Sequence, residues 1–303
     1  MLNQYGKILK IRVTNNSMRP DYVKVRLPTE ESYFRTREEV KDLQLHTVCE
    51  EARCPNISEC WTMGTATFMI MGKNCSRNCR FCSVTHGHME PLDPLEAEKV
   101  AKAVRDMKLR YAVITSVDRD DLPDGGAQHF ANVIKEVKKS GVKVEVLIPD
   151  FQGNEKSLKS ICEARPDVIA HNIETVRRLT PFVRDPRAKY DQSLRVLKFI
   201  KSQGFITKSS IMLGLGEGDE EVLSSLRDLR DVGVDIVTIG QYLRPSKMQL
   251  PVFEYSSAER FKMLEEEAYR MGFSFVASGP LVRTSYRAAE AWALRRDNNE
   301  SIE

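Results

Sequence analysis

Seven cysteines are present, and six of them form two triplets between residues 49 and 82. Cys75, Cys79 and Cys82 make a C-x3-C-x2-C run, with Phe81 directly before its last member. Cys49, Cys54 and Cys60 make a C-x4-C-x5-C run that ends against Trp61. Three closely spaced thiolates can bind three corners of an iron–sulfur cluster, and such clusters normally take four cysteines. Each triplet is one ligand short, which leaves one iron open to a substrate or to an unusual protein ligand. Two incomplete sites side by side point to chemistry rather than to electron storage.

Two plainer readings of the cysteines fare worse. Disulfide frameworks suit small secreted chains, whereas this one has 303 residues, an odd cysteine count and no apolar signal-peptide core at its start. Structural zinc sites pair two C-x(2–4)-C or Cys/His halves; neither triplet brings a second half, and His86 and His88 do not supply one. Cys162 lies in a helical stretch and reads as a small packed hydrophobe.

The elements that must position these thiols follow from residue 65 onward. Apolar runs at 65–71, 111–117, 142–148, 167–171, 206–213 and 234–240 read as six buried strands. Amphipathic helices are expected over about 95–107, 130–139, 155–163, 192–203, 219–231 and 257–271. Strands alternating with helices indicate a parallel sheet with helices outside, here an α/β fold, a partial (β/α)6 TIM-type barrel. In such barrels the active site lies at the C-terminal ends of the strands, where the Cys75–Cys82 loop falls. Ser116, Asp118, Arg119 and Asp120 follow the second strand; His171, Asn172 and Glu174 follow the fourth; Gln241, Tyr242 and Arg244 follow the sixth. Helix capping is a rival role for the acids, Asp118 to Asp121 and Asp124. Residues 1–64 read as an N-terminal extension carrying the first triplet, 65–275 as the barrel and 276–303 as a C-terminal extension.

Composition excludes several classes. A hydrophobic fraction of 41% and a charged fraction of 29% are ordinary for a soluble globular protein. A net charge of +3 makes no case for nucleic acid, and no apolar run approaches the roughly 18 residues of a membrane span. The first 20 residues hold Lys7, Lys10, Arg12 and Arg19 and no acid, without the serine or amphipathic face of a transit peptide. Free thiols and exposed clusters favour a reducing, cytoplasmic setting.

The C-x3-C-x2-C loop at the top of strand one resembles the signature of radical S-adenosylmethionine (SAM) enzymes. The stretch Leu45-His-Thr-Val-Cys-Glu-Glu-Ala-Arg-Cys-Pro-Asn-Ile-Ser-Glu-Cys-Trp is similar to the lipoyl synthase family within that superfamily. The likeness continues in Thr115-Ser-Val-Asp-Arg-Asp-Asp-Leu, His171-Asn-Ile-Glu-Thr-Val and Val276-Ala-Ser-Gly-Pro-Leu-Val-Arg-Thr-Ser-Tyr-Arg-Ala, so that it covers residues 40 to 290. Departures from the family pattern are Thr284 for a serine, Gln249 for a histidine, Tyr22 for a tryptophan and Lys73-Asn74 before Cys75.

The resemblance implies insertion of two sulfurs, at C6 and C8 of an octanoyl chain carried on a protein lysine, by a sulfurtransferase using two 4Fe–4S clusters and SAM. One cluster, on Cys75, Cys79 and Cys82, chelates SAM through its open iron and cleaves it to a 5′-deoxyadenosyl radical. The other, on Cys49, Cys54 and Cys60 with Ser285 as fourth ligand, gives up its sulfides. Phe81 would lie at the adenine side, where it is otherwise a buried aromatic, and Ser116, Asp118, Asn172 and Glu174 would contact SAM. Implied partners are octanoylated carrier domains (glycine cleavage H protein and E2 subunits of 2-oxoacid dehydrogenases) and an electron donor such as flavodoxin or ferredoxin. Arg19, Lys24, Arg283 and Arg287 would dock the carrier. A monomer is expected, because the substrate is itself a protein domain. Single-sulfur insertion by another radical SAM enzyme, or a metal-stabilised binding module, are the alternative readings.

Overall fold

The computed structural model describes residues 30–43, 45–51, 54, 56–62, 66–286 and 288–293. Lys7, Lys10, Arg12, Arg19, Tyr22, Lys24 and Arg287, and the expected start of strand one at Thr65, lie outside the described residues. The chain runs α1 (Glu31–Asp42), β1 (His46–Thr47), α2 (Val48–Glu51), α3 (Ile57–Thr62), β2 (Thr67–Ile70), β3 (Asn74–Cys75) and β4 (Thr85–His86). Then come α4 (Glu96–Asp106), β5 (Tyr111–Ser116), α5 (Ala127–Lys138), β6 (Lys143–Leu147), α6 (Glu155–Glu163), β7 (Val168–Ala170), α7 (Thr180–Val183) and α8 (Tyr190–Ser202). It ends with β8 (Ile206–Leu213), α9 (Asp219–Asp231), β9 (Ile236–Gln241), α10 (Ala258–Arg270) and β10 (Phe275–Gly279).

The main sheet has the order β1-β2-β5-β6-β7-β8-β9-β10. Only the β1–β2 pair is antiparallel. Each parallel strand is laid beside the previous one after a helical crossover, and strand twist curls such a sheet into a barrel. The two edge strands do not pair, so the barrel is open and partial. All six expected βα units are present, and β10 adds a seventh parallel strand where the sequence reading ended the sheet.

Helices pack by their apolar stripes. In α9, Val222, Leu226 and Leu229 are buried with Ser225, at three- and four-residue spacing. Strand residues alternate instead: on β5, Ala112 and Ile114 join the layer beneath the helices, while Tyr111 and Val113 face Ala288 and Trp292. Ala291 packs on Ile236 and Phe275, at the starts of β9 and β10. The helical turn at 288–293 therefore fills the lumen at the N-terminal end of the barrel.

Beneath the site, Lys208 Nζ donates to Glu145 at 2.8 Å, and Tyr111 Oη donates to the other carboxylate oxygen at 2.8 Å. Lys208 and Glu145 side chains are each 1% exposed. Removing one member of such a pair strands the other charge, at a cost of about 3–5 kcal/mol. Lys208→Met should therefore lose that much in chemical unfolding, and the double variant Lys208→Met/Glu145→Leu should recover most of it. Equal stability of wild type and Lys208→Met would contradict the pairing.

Candidate functional site

A cavity of about 340 Å³ opens at the C-terminal ends of the strands. Cys49, Cys54, Cys75, Cys79 and Cys82 line it, together with Phe81, Ser116, Asp118, Asn172, Glu174 and Ser285. Thus five of the six triplet cysteines meet Phe81, Ser116, Asp118, His171, Asn172, Glu174 and Ser285 in one space, whereas Arg119, Asp120, Gln241, Tyr242 and Arg244, also placed at the strand ends from the sequence, do not line it. Cys60 does not line it, but lies near enough to Cys49 and Cys54 for their charges, after burial, to help push its pKa up to about 12. The apolar part of the wall includes Met69, Val113, Leu147, Ile148 and Met212.

Arg77, inside the C-x3-C spacing, fixes the cluster loop. It is 3% exposed. Its Nε and Nη2 donate to Asp120 at 2.8 Å each, and Nη1 and Nη2 to Asp150 at 2.9 and 2.7 Å. Bidentate pairing of this kind sets direction as well as strength, so the loop after β2 is clamped to those after β5 and β6. A fourth loop contributes through Asp185, whose carboxylate accepts from Asn78 N at 2.9 Å and whose own N–H points at Cys79 Sγ, 3.3 Å away. On the outer side Gln249, the departure noted above, donates from Nε2 to Cys82 O at 3.1 Å.

Cys75 Sγ sits between backbone donors and the Asp118 carboxylate, to whose Oδ2 it donates at 3.8 Å. Cys75 Sγ receives Asp118 N at 3.3 Å and Arg77 N at 3.5 Å. Burial pushes the Cys75 and Cys82 thiols up to about 12 and Cys79 to about 11. Such thiols shed protons only to a strong cation, and backbone N–H groups at the sulfurs are what tune an iron–sulfur cluster. Asp118, raised to about 6 chiefly by burial, is 3.3 Å from Arg77 Nε.

The first triplet is joined to the C-terminal extension. Asn56, between Cys54 and Cys60, donates from Nδ2 to Leu281 O at 2.6 Å. Burial raises Cys49 to about 11. The strap at 279–286 then crosses the barrel mouth over Gly240, where a Cβ would stand 2.2 Å from Val282 O. Thr284 Oγ1 accepts from Asn172 Nδ2 at 3.0 Å, whereas no hydrogen bond ties Ser285 to another described residue. Arg283, expected to dock the carrier, lines the cavity at the barrel mouth and lowers the Cys54 pKa against the dominant effect of burial. Gly240→Ala should shift the strap, at a cost of about 1–3 kcal/mol. The loss should appear in chemical unfolding, and wild-type stability of Gly240→Ala would count against this reading of the strap.

Three buried polar atoms on residues that line the cavity have no hydrogen-bond partner among the described residues: Ser116 Oγ, Asn172 Oδ1 and Arg184 Nε. Buried polar groups are nearly always satisfied, so these are places for a polar ligand. His171 Nδ1 and Nε2 are occupied by Ile148 O and Ser193 Oγ, both at 2.9 Å, and burial pushes its pKa down to about 4. It is a neutral structural residue. Of the acids after β5, Asp124 caps α5 by accepting from Gly126 N and Gln128 N, while Asp118 lines the cavity and Asp120 accepts from Arg77. Gln241 and Tyr242 hold backbone carbonyls and do not line the cavity.

The sequence profile of the Radical SAM superfamily matches residues 69–240, and that of the N-terminal domain of lipoyl synthase matches 1–54. The chain is 67% identical to a lipoyl synthase of Picrophilus torridus, over 90% of this chain and 96% of that protein. It is 55% identical to one from Myxococcus xanthus, over 96% and 99%. The chain belongs to the lipoyl synthase family. A lipoyl synthase of the radical SAM superfamily uses a 4Fe–4S cluster and SAM and acts on a protein-bound octanoyl group. Fold-level likeness agrees. Methylornithine synthase superposes with a TM-score of 0.53 at 14% identity, covering 89% of this chain and 76% of that one. Streptococcus suis SuiB bound to its precursor peptide gives 0.56 at 10%, covering 85% and 54%. No helix among the described residues is long and apolar enough to cross a membrane.

Proposed function

We propose that this chain inserts two sulfur atoms, at C6 and C8 of an octanoyl group on a carrier domain, within the single cavity on which both triplets open. That shared cavity is the observation supporting the reading: a radical made beside Cys75, Cys79 and Cys82 would meet its sulfur source without leaving the space. The donor set fits the groups required, with three half-buried thiols and backbone N–H donors on one side, and on the other buried Cys49 with half-buried Cys54 and Cys60 beside a serine that no described residue engages. When bound, the cluster at Cys75, Cys79 and Cys82 would supply reductive cleavage of SAM to a 5′-deoxyadenosyl radical.

The residues have distinct tasks. Ser116, Asn172 and Arg184 would satisfy polar groups of SAM with the atoms left unpartnered, Phe81 would pack on its adenine side, and Asp118 and Glu174 would complete the polar wall. Met69, Val113, Leu147 and Met212 would take the alkyl chain and keep water out, which matters because a carbon radical must meet sulfur rather than solvent. Cys49, Cys54, Cys60 and Ser285 would hold the second cluster, consumed as a substrate. Carrier domains of the glycine cleavage H protein and 2-oxoacid dehydrogenase E2 type are the proposed substrates. Anaerobic incubation with reductant, SAM and an octanoylated carrier domain, followed by mass spectrometry, should give the two-sulfur product. A product with one sulfur would favour a different radical SAM enzyme.

A further inference from the structure

We propose that the outer side of the Cys75–Cys82 loop is a docking surface for a small acidic protein that delivers single electrons. The idea rests on the reading that this loop holds a reducible cluster. Arg80, between Cys79 and Cys82, is exposed. It ties three segments together: its N–H donates to Val183 O at 2.9 Å, its Nη1 to Phe182 O at 3.1 Å, and its carbonyl accepts from Leu250 N at 3.0 Å. Two exposed large apolar side chains stand on these segments, Phe182 at 40% and Met248 at 89% exposure.

Positive charge surrounds them. The guanidinium of Arg80 donates to a carbonyl, and that of Arg244 to Gln249 O at 2.9 Å and Lys247 O at 2.6 Å, so neither is neutralised by these bonds. Lys247 is exposed and has no ion pair among the described residues. Arg187, 46% exposed, reaches Ser76 O of the cluster loop at 2.7 Å while paired with Asp185. Glu50 and Glu51 line the adjoining polar groove with Met248 and Gln249 and mark where the positive face ends. An apolar centre within a charged rim is the anatomy of a transient protein interface, and the charge favours an acidic partner.

None of these six residues lines the cavity. The surface therefore suits a partner that approaches the cluster from outside rather than the octanoylated domain, whose chain must enter. The exchange is one electron from the carrier, which is oxidised, to the cluster, which is reduced; no atom moves.

The test uses the reconstituted full chain and oxidised flavodoxin as probe, with the dissociation constant read by calorimetry. Lys247→Glu/Met248→Glu and Phe182→Glu should each weaken binding about 10-fold, and wild-type binding should weaken with salt. Flavodoxin-driven SAM cleavage should show the same rise in KM, with dithionite-driven cleavage unchanged. Unchanged affinity in both variants, equal loss with dithionite, or loss of octanoylated-domain binding instead would each overturn the proposal. Absence of dithionite-driven cleavage in the wild type would count against the enzymatic reading, while the calorimetric result would still decide the docking.

Discussion

Alanine at Cys75, Cys79 or Cys82 should abolish 5′-deoxyadenosine formation, whereas alanine at Cys49, Cys54 or Cys60 should leave it running and abolish lipoyl product. The contrast follows from two separate thiol triplets, five of whose six members line one cavity. Loss of one thiol from the C-x3-C-x2-C loop leaves two buried ligands where a site-differentiated cluster needs three. Asp118 and Arg77 N–H donors then face no sulfur at position 75. The other triplet is held separately, through Asn56 and the Leu281 carbonyl, so about half the iron should stay bound. In the reverse case the radical forms beside an alkyl chain with no sulfur source. Iron content, 5′-deoxyadenosine and lipoyl product measured on the same samples check this; 5′-deoxyadenosine from any variant of the first set would contradict it.

Ser285→Ala should reduce lipoyl formation by at least about 100-fold, the upper range for loss of a group that supports a metal site, while Thr284→Ala does far less. The two hydroxyls are neighbours, but Thr284 is engaged by Asn172 and Ser285 is not engaged by any described residue. Iron can lower the pKa of an oxygen ligand enough to bind it deprotonated. A hard oxygen on a cluster otherwise held by soft thiolates should be its most labile bond, which suits a cluster that must come apart. SAM cleavage should persist in Ser285→Ala. Wild-type product yield in that variant would place the fourth ligand elsewhere.

Much of this was legible because the chemistry is local. The triplets are short-range patterns, and β8 occupies the bounds its apolar run implies. The clamp on the cluster loop was not legible. Arg77 reads as loop filler between two cysteines, and its partners Asp120 and Asp150 come from different βα loops, so only the closed barrel brings them together. Asp185 and Asn56 escaped for the same reason: each acts on a residue far away in sequence. β10 was missed because Phe275–Gly279 is short and runs into the Gly-Pro of the strap, so its apolar signal is brief. Capping against a place in the cavity could not be decided by type at Asp118 to Asp124, since within one carboxylate run Asp124 caps α5 while Asp118 lines the cavity.

The most direct test is a single turnover with heavy-isotope sulfide built into the clusters, followed by mass spectrometry of the octanoylated domain. Two labelled sulfurs in the product are expected if, as proposed, a cluster on Cys49, Cys54 and Cys60 is the source. Product carrying unlabelled sulfur, or only one sulfur, would contradict the account.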